Sequence, residues 1–306
     1  MYHFSRRGKG IHAYNTSFEV TKNGNHPSEF NHLYRGVHTS TSNPLLTAKI
    51  THTSFENNWR SVSLSGMHAP EVSENTFNVG ESFYPSPLHN FGYATSLGLY
   101  LNNCTGYKVD YNAFYSQHNG YAGAVINNSG PDANTIYKNT FADLTVGTQS
   151  QLINGDESAA NSQIGLTFEC NTYEEIKDYD ILVASGSVKS YQGFCQTIQT
   201  PANNQFSYSA TKGDYWLTNS PTTTVQSSYR YSPSNGSYNL APRTTLNGYS
   251  GDYINLLNTA EQGCANLPDF NEALSIQWKC RCSFCSGIRR AAVSVICLHA
   301  TGFRRQ

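Results

Sequence analysis

LGLYLNNCTGYKVDYNAFYSQHNGYAGAVINNSGPDANTIYKNTF, residues 97–141, contains one pattern twice. Each copy is a short alternating strand, an Asn-rich corner and a second short strand closed by an Asn and an aromatic residue, at 98–103 with 109–114 and again at 123–128 with 136–141. Strands and corners repeated at short intervals are typical of the coils of a β-solenoid. The segment therefore predicts an architecture, and it does not by itself indicate an activity.

The second half of the pattern, apolar-x-x-Asn-x-aromatic, recurs at intervals of 22, 37, 27 and 32 residues, with the leading residues Ile50, Val72, Val109, Ile136 and Phe168. The shortest interval fits one coil of a parallel β-helix, and the longer ones fit a coil with an insertion at a corner. We expect the leading and aromatic side chains to point inward and to stack in columns, with like side chains of successive coils about 4.8 Å apart. The Asn residues should bond from coil to coil and adopt left-handed backbone at the corner. A β-sandwich whose strands end in this motif is the alternative.

The pattern divides the chain into three predicted parts. Residues 1–195 are predicted to form parallel β-helix repeats, and residues 196–276 a β-rich extension or cap. Residues 277–306 are Cys-rich and Arg-rich and contain no Asp or Glu. They fit either a separate basic tail or a shifted reading frame, and we favour the second interpretation. Three stretches between the repeats, 21–31, 79–93 and 147–162, are predicted to be insertions. They either build a binding face or have no role in binding.

Composition agrees with an all-β chain. Of 306 residues, 21 are Tyr, 15 are Phe and 24 are Gly, and only 13% are charged, a balance that favours strands and corners over helices. The formal net charge of -1 gives no overall field that would attract nucleic acid or an anionic membrane. The sequence contains no run of eighteen apolar residues, which argues against a membrane span. The first residues lack the apolar region of a signal peptide.

The cysteines fall into two groups. Cys104, Cys170 and Cys195 stand singly in the repetitive part, where a Cys is expected to act as a small buried hydrophobe. The tail places three thiols within six residues, at Cys280, Cys282 and Cys285. Zinc is conceivable there, but no second ligand pair stands at zinc-finger spacing, so neither a metal site nor a cofactor is predicted.

An enzyme acting on polysaccharides would need clustered carboxylates, either to hold calcium or to form an acid–base pair. The carboxylates are scattered instead: Glu71, Glu74, Glu81, Asp110, Asp132, Asp143, Asp156 and Glu157. Asp156 and Glu157 are the nearest pair, the acidic run at 174–180 is predicted to be solvated, and His118 is predicted to lie in a solvent-facing turn. No G-x-S-x-G or H-E-x-x-H motif is present. No catalytic or cofactor-binding residue is therefore predicted.

A binding module would instead present aromatic rings for sugar faces and amides for hydrogen bonds. The candidate rings are Tyr100, Tyr107, Tyr111, Tyr115, Tyr121 and Tyr137. Several of them could equally fill the core, because Tyr is often half-buried. A structural spacer with neither feature is a third possibility. Exposed aromatics with few carboxylates would favour binding, and three or more charged side chains in one groove would favour catalysis.

Residues 165–193 resemble a segment of the large secreted right-handed parallel β-helix repeat proteins of gliding bacteria, which are typically exported by type IX secretion. The residues that carry the resemblance are Gly165, Leu166, Phe168, Cys170, Asn171, Tyr173, Asp180, Ile181, Val183, Gln192 and Gly193. The similarity covers roughly residues 45–265. It implies an extracellular or cell-surface location and a longer parent chain with further domains, and it supplies no catalytic residue.

These observations together predict an all-β protein, a right-handed parallel β-helix with a β-rich C-terminal extension. The expected function is a non-catalytic extracellular scaffold for adhesion or carbohydrate binding, with a polysaccharide or cell-surface glycan as partner and no nucleic acid. A polysaccharide lyase or glycoside hydrolase of the pectin-lyase-like class is the alternative.

Overall fold

The computed structural model describes residues 8–80, 95–118, 120–156, 164–184, 186–189, 191–193, 201–207, 209–217, 227–231, 241–243, 245–246, 249–250 and 254–258. These residues form 25 β-strands: β1 (Lys9–Tyr14), β2 (Phe18–Val20), β3 (Ser28–Asn31), β4 (Arg35–Ser40), β5 (Ala48–Thr51), β6 (Thr53–Asn58), β7 (Arg60–Ser65), β8 (Glu71–Ser73), β9 (Thr76–Val79), β10 (Leu97–Asn102), β11 (Lys108–Asp110), β12 (Ala113–Tyr115), β13 (Ala122–Asn127), β14 (Asn134–Tyr137), β15 (Thr140–Ala142), β16 (Val146–Gln151), β17 (Leu166–Glu169), β18 (Thr172–Glu174), β19 (Tyr179–Val183), β20 (Tyr191–Gln192), β21 (Gly213–Leu217), β22 (Ser227–Tyr231), β23 (Thr245–Leu246), β24 (Tyr249–Ser250) and β25 (Ile254–Asn258).

Three parallel sheets run the length of the structure. Sheet A has the order β1-β4-β7-β10-β13-β16-β19-β21, sheet B the order β2-β5-β8-β11-β14-β17, and sheet C the order β3-β6-β9-β12-β15-β18. The chain visits A, B and C in turn and then starts the next coil beside the last one. The predicted all-β parallel β-helix is therefore confirmed. A three-stranded parallel sheet, β20-β22-β25, and the antiparallel pair β23-β24 complete the described strands.

The interior is built from columns of like residues, as the repeat predicts. The leading apolar residues of the motif lie in adjacent register on sheet B and are fully buried: Ile50, Val72, Val109, Ile136 and Phe168. The aromatic residues of the motif stack on sheet C, and Phe30 and Phe206 extend the stack at its two ends. The ring centroids lie 4.5–6.1 Å apart in the order Phe30, Phe55, Phe77, Phe114, Phe141, Tyr173 and Phe206. Offset-stacked rings at such distances add to the free energy of burial.

The Asn residues of the motif form a ladder at the corner between sheets B and C. Each side-chain oxygen accepts hydrogen bonds from the backbone and side-chain nitrogens of the Asn one coil below, in the order Asn75, Asn112, Asn139, Asn171 and Asn204. Thr53 takes the first place, where its backbone nitrogen donates to Asn75, and the Tyr229 hydroxyl accepts from Asn204 at the other end.

The expectation that the ladder Asn residues adopt left-handed backbone is wrong. The residue before each of them, and before Thr53, has positive φ instead: His52, Glu74, Tyr111, Lys138, Cys170 and Asn203. At the corner between sheets A and B the expectation does hold, since Asn103 and Asn128 have φ of 51° and 54°. At the corner between sheets B and C, one residue therefore adopts the left-handed backbone of the bend, and the next residue makes the hydrogen bonds of the ladder.

A column of small residues in sheet A faces the aromatic stack. A Cβ atom built on Gly98 would meet Phe114 Cδ1 at 2.8 Å, and one built on Gly123 would meet Phe141 Cδ1 at 2.5 Å. Real side chains do not tolerate such distances, so the rings of these coils require a glycine opposite them. The x-Gly-apolar sequence that opens these strands follows from this packing.

Several predicted boundaries change. The ladder and the stack continue into Asn204 and Phe206, and β21 joins sheet A, so the coils extend beyond residue 195. The stretch 21–31 is not wholly an insertion, because β3 lies within it, and 147–151 belong to β16. Residues 81–93 of the second stretch and the tail at 277–306 lie outside the described residues.

The substitution Asn139→Ala is expected to lower the free energy of unfolding by about 2 to 4 kcal/mol, because it removes the oxygen that accepts from both nitrogens of Asn112 and the bonds that Asn139 donates to two buried carbonyls. Urea unfolding followed by circular dichroism measures the change. Asn31→Ala is the control, since Asn31 is exposed and makes one long side-chain bond to Glu29. Equal stability of the two variants would show that the ladder does not stabilise the coils.

The substitution Gly123→Ala is expected to cost about 1 to 3 kcal/mol, because the methyl group would overlap the Phe141 ring and the Gly147 carbonyl. Thermal unfolding measures this cost. Gly8→Ala is the matched control, since no atom lies within 4 Å of its added Cβ. A Gly123→Ala protein as stable as this control would contradict the packing role of the column.

Candidate binding surface

The outer face of sheet A carries a group of cations on its first three coils. Lys9, Arg35 and Arg60 begin β1, β4 and β7 and occupy the same register position. Three residues further along β1 and β4, His12 and His38 are paired and their rings stack, with centroids 5.1 Å apart. We call these five residues the cationic surface.

Aromatic rings hold the two arginines in place. The Tyr34 and Trp59 rings stack with centroids 4.6 Å apart, and each precedes one of the arginines in the sequence. The Arg35 guanidinium lies 5.5 Å from the Tyr34 centroid, and the Arg60 guanidinium lies 4.5 Å from that of Trp59. Arg60 is also 5.7 Å from the Tyr100 centroid on the next coil. Cation–π contacts of this kind restrict the guanidinium groups without using their N–H donors.

The charges of the cationic surface are not compensated. Within the described part of the chain, no carboxylate lies within 4.0 Å of Lys9, Arg35 or Arg60, and neither guanidinium donates a hydrogen bond. Burial, helped by the neighbouring Arg35, His12 and Lys9 side chains, lowers the pKa of His38 to about 4. Burial and then Arg35 also lower the pKa of Arg60. His38 is therefore neutral at pH 7, and the arginines and Lys9 supply the positive charge.

Beyond the third coil the same face changes character. Leu97, Ala122 and Val146 follow Arg60 in its register column, and they join Val125 and Leu182 in an apolar cluster that is separate from the core. These side chains are buried. The cationic surface is thus confined to one end of sheet A.

A second column on this face is polar along several coils. Ser65, Asn102, Asn127 and Gln151 end their strands in adjacent register, and all four side chains are partly exposed. The Asn127 side-chain nitrogen donates to the Asn102 side-chain oxygen at 2.6 Å. We call these four residues the polar row. Each coil from the third to the sixth thus presents one group able to donate and accept hydrogen bonds.

The structure separates the tyrosines that were candidates for sugar binding. Tyr107 and Tyr137 are buried, and burial raises their pKa values. Tyr111 is exposed at the corner between sheets B and C, with the Lys138 ammonium 5.5 Å from its centroid. The remaining three are partly exposed: Tyr100, Tyr115 and Tyr121. The row of exposed rings that would favour binding is absent from the described coils.

Sheet B brings together three charged side chains that the sequence left apart. Lys108 Nζ lies 3.6 Å from Glu71 Oε1 and 3.5 Å from Asp110 Oδ2, and the Ser73 hydroxyl donates to the other oxygen of Asp110. Asp110 is buried, which raises its pKa, while Ser73 and Lys108 oppose that shift. One register column of this sheet alternates in sign along the coils: Glu19, Lys49, Glu71 and Lys108.

The other carboxylate candidates do not converge. Glu74, Asp132 and Asp143 are exposed, and Glu74 is paired with His52 at 2.6 Å. Asp156 follows β16, the sheet A strand of the sixth coil. Glu157 and Glu81 lie outside the described residues, so the structure does not describe the Asp156–Glu157 pair. His118 is exposed and its backbone nitrogen donates to the Ser116 hydroxyl, as in a turn.

Asp180 contradicts the expectation that the run 174–180 is solvated. It is buried in β19, and its carboxylate accepts from the Ser207 nitrogen at 2.8 Å and the Ser207 hydroxyl at 2.7 Å. Burial raises its pKa well above the usual range. One coil on, buried Asp214 accepts from the Arg243 guanidinium at 2.7 Å. Both aspartates occupy the register position that glycine holds in other strands of sheet A. That register is the signal in the sequence that could have indicated their burial.

The cysteines also divide. Cys104 is a buried free thiol whose pKa burial raises to about 11, as expected for a small hydrophobe. Cys170 is disulfide-bonded, which corrects the expectation that it is a buried single thiol. Cys195 and the proposed zinc ligands Cys280, Cys282 and Cys285 lie outside the described residues.

Comparison with known proteins gives no match to a protein-family model, a curated protein or a solved structure. Among the described residues, no cluster of three or more His, Cys, Asp or Glu side chains is arranged to hold a metal ion. The same part of the chain contains no helix of the length and hydropathy needed to cross a membrane.

The imidazole of His38 is expected to titrate near pH 4, whereas it would titrate near 6.5 in the unfolded chain. Because the unfolded state then binds a proton more readily, the folded state loses stability as the pH falls from 6.5 towards 4. NMR titration of the ring measures the pKa, and urea unfolding at several pH values measures the loss. His38→Gln should show a weaker pH dependence over that interval. A His38 pKa near 6.5 would contradict the burial of the ring beside Arg35 and Lys9.

Proposed function

We propose that this protein is a non-catalytic extracellular β-solenoid that serves as a carbohydrate-binding or adhesion scaffold within a larger surface protein. The observation that carries the proposal is the polar row on the outer face of sheet A. Ser65, Asn102, Asn127 and Gln151 place one hydrogen-bonding group on each of four successive coils. A sugar chain presents hydroxyl groups at regular intervals, and such a row is suited to accept it.

The rigidity of the row adds to this argument. Adjacent strands of a sheet lie about 4.8 Å apart, so the row has a fixed repeat along the axis. The bond between Asn127 and Asn102 restricts both side chains before any ligand arrives. A preorganised surface loses less conformational entropy on binding than a flexible one.

The location rests on separate support. Cys170 is disulfide-bonded, and disulfides persist mainly in oxidising compartments such as the cell exterior. The resemblance of residues 165–193 to secreted β-helix repeat proteins points the same way.

A polysaccharide lyase or hydrolase is the second candidate, and the cluster on sheet B favours it. Asp110 is a buried carboxyl with a raised pKa, and Glu71 and Lys108 lie beside it. A general acid requires a raised pKa of this kind. However, Lys108 bridges both carboxylates, and the surrounding column alternates in charge, as in a solvated sheet face. We therefore place binding before catalysis.

A glycan screen on the full chain tests both candidates. We expect binding to at least one plant, algal or microbial polysaccharide, without release of reducing ends or unsaturated uronates in the presence or absence of calcium. Asn102→Ala combined with Asn127→Ala should weaken binding about tenfold, as expected for the loss of two hydrogen bonds.

The control replaces two exposed amides away from sheet A, Asn25→Ala with Asn31→Ala, and should leave the affinity unchanged. Product release that disappears in Asp110→Asn would establish the enzyme instead. Failure to bind any glycan in the screen would contradict the carbohydrate-binding role.

A further inference from the structure

We propose that the cationic surface on the first three coils binds an anionic polysaccharide, a sugar chain that carries carboxylate or sulfate groups. This inference rests on the proposed function, because it names the class of glycan that such a scaffold would hold. It uses residues that are distinct from the polar row. The two surfaces can therefore be tested separately.

The geometry of the cations fits a linear polyanion. Lys9, Arg35 and Arg60 stand in one register column, one on each coil. The column advances by about 4.8 Å per coil along the axis of the β-helix. A chain that lies along this axis and carries a negative group on each short repeat can meet the cations in succession. A single small anion would leave part of the column unused.

The unused donors of the arginines strengthen the argument. A guanidinium has five N–H groups in a planar fork, and carboxylate and sulfate oxygens match that fork. Arg35 and Arg60 donate none of these groups to a described residue, and no described carboxylate approaches them within 4.0 Å. Three of the six described ion pairs, by contrast, involve lysines of sheet B: Lys49 with Glu19, and Lys108 with Glu71 and Asp110. Three uncompensated cations in one register column thus distinguish this end of sheet A.

The aromatic residues indicate a charged glycan rather than a single-stranded nucleic acid. Nucleic acid strands bind by stacking their bases on exposed rings. Trp59 is only 8% exposed, because Tyr34 covers one part of its ring and Arg60 lies over it as well. The rings therefore serve to orient the arginines. Recognition then depends on the guanidinium groups, which require anionic oxygens and no base.

The test compares polymers that share one backbone. Dextran, carboxymethyl-dextran and dextran sulfate differ in charge and not in the sugar chain, and a single-stranded oligonucleotide supplies phosphate without sugar rings of this kind. Binding of the full chain to each is measured by isothermal titration calorimetry at low and at physiological ionic strength. We expect binding to the carboxylated or the sulfated polymer, weaker binding as salt is added, and none to the oligonucleotide.

The decisive variant is Lys9→Gln combined with Arg35→Gln. It removes two exposed or half-exposed charges and leaves Arg60 between its aromatic neighbours, so folding should be preserved and is checked by thermal unfolding. The expected result is a loss of affinity of at least about tenfold, as befits charge-assisted hydrogen bonds. The control, Lys22→Gln with Lys49→Gln, removes the same charge from exposed positions outside sheet A and should bind like the parent protein.

The outcomes separate this inference from the proposed function. Binding to neutral glycans alone, or equal losses in the two double variants, overturns the anionic ligand while the carbohydrate-binding scaffold stands. Tighter binding to the oligonucleotide than to either charged dextran also overturns it. Failure of every glycan in the wider screen overturns both proposals. Selective loss in the Lys9 and Arg35 variant supports both.

Discussion

The amide ladder at the corner between sheets B and C sets the register on which every other column depends. Because each Asn oxygen accepts two hydrogen bonds from the Asn below it, one coil can sit on the next in only one alignment. A slip by one residue would turn every core side chain outward. The aromatic stack and the glycine column then follow from the ladder, since a ring such as that of Phe141 lies opposite a glycine only in that alignment. The columns on the outer faces inherit the same regularity.

The interior could be predicted from the sequence because each of its columns requires one type of residue. The apolar leader, the Asn and the aromatic recur in fixed order, and their spacing of 22 to 37 residues identifies the coil. The backbone detail could not be read in the same way. The residue in left-handed conformation varies from His52 to Lys138, so no residue type marks it. Asp180 was misjudged because a cluster of acids suggests solvent, whereas its neighbour Ser207 comes from the next coil, 27 residues later.

The candidate site was harder to predict than the fold. The net charge of -1 averages over the whole chain and conceals a local group of cations. Lys9, Arg35 and Arg60 lie 26 and 25 residues apart, which has meaning only once the coil length in that region is known. The repeat motif marks the strands of sheets B and C, whereas the cations are the first residues of three strands of sheet A. The available signal in the sequence was that each of the three cations stands shortly before an apolar residue of its strand.

The variable length of the coils has a consequence for how such a protein can diversify. The ladder positions Asn75 and Asn112 are 37 residues apart, whereas Asn112 and Asn139 are 27 apart, and both pairs make the same bonds. A difference of ten residues in coil length therefore leaves the register of the ladder unchanged. Inserted sequence can be gained, lost or replaced while the scaffold keeps its shape. Selection on the surface of this protein is thereby largely uncoupled from selection on its folding.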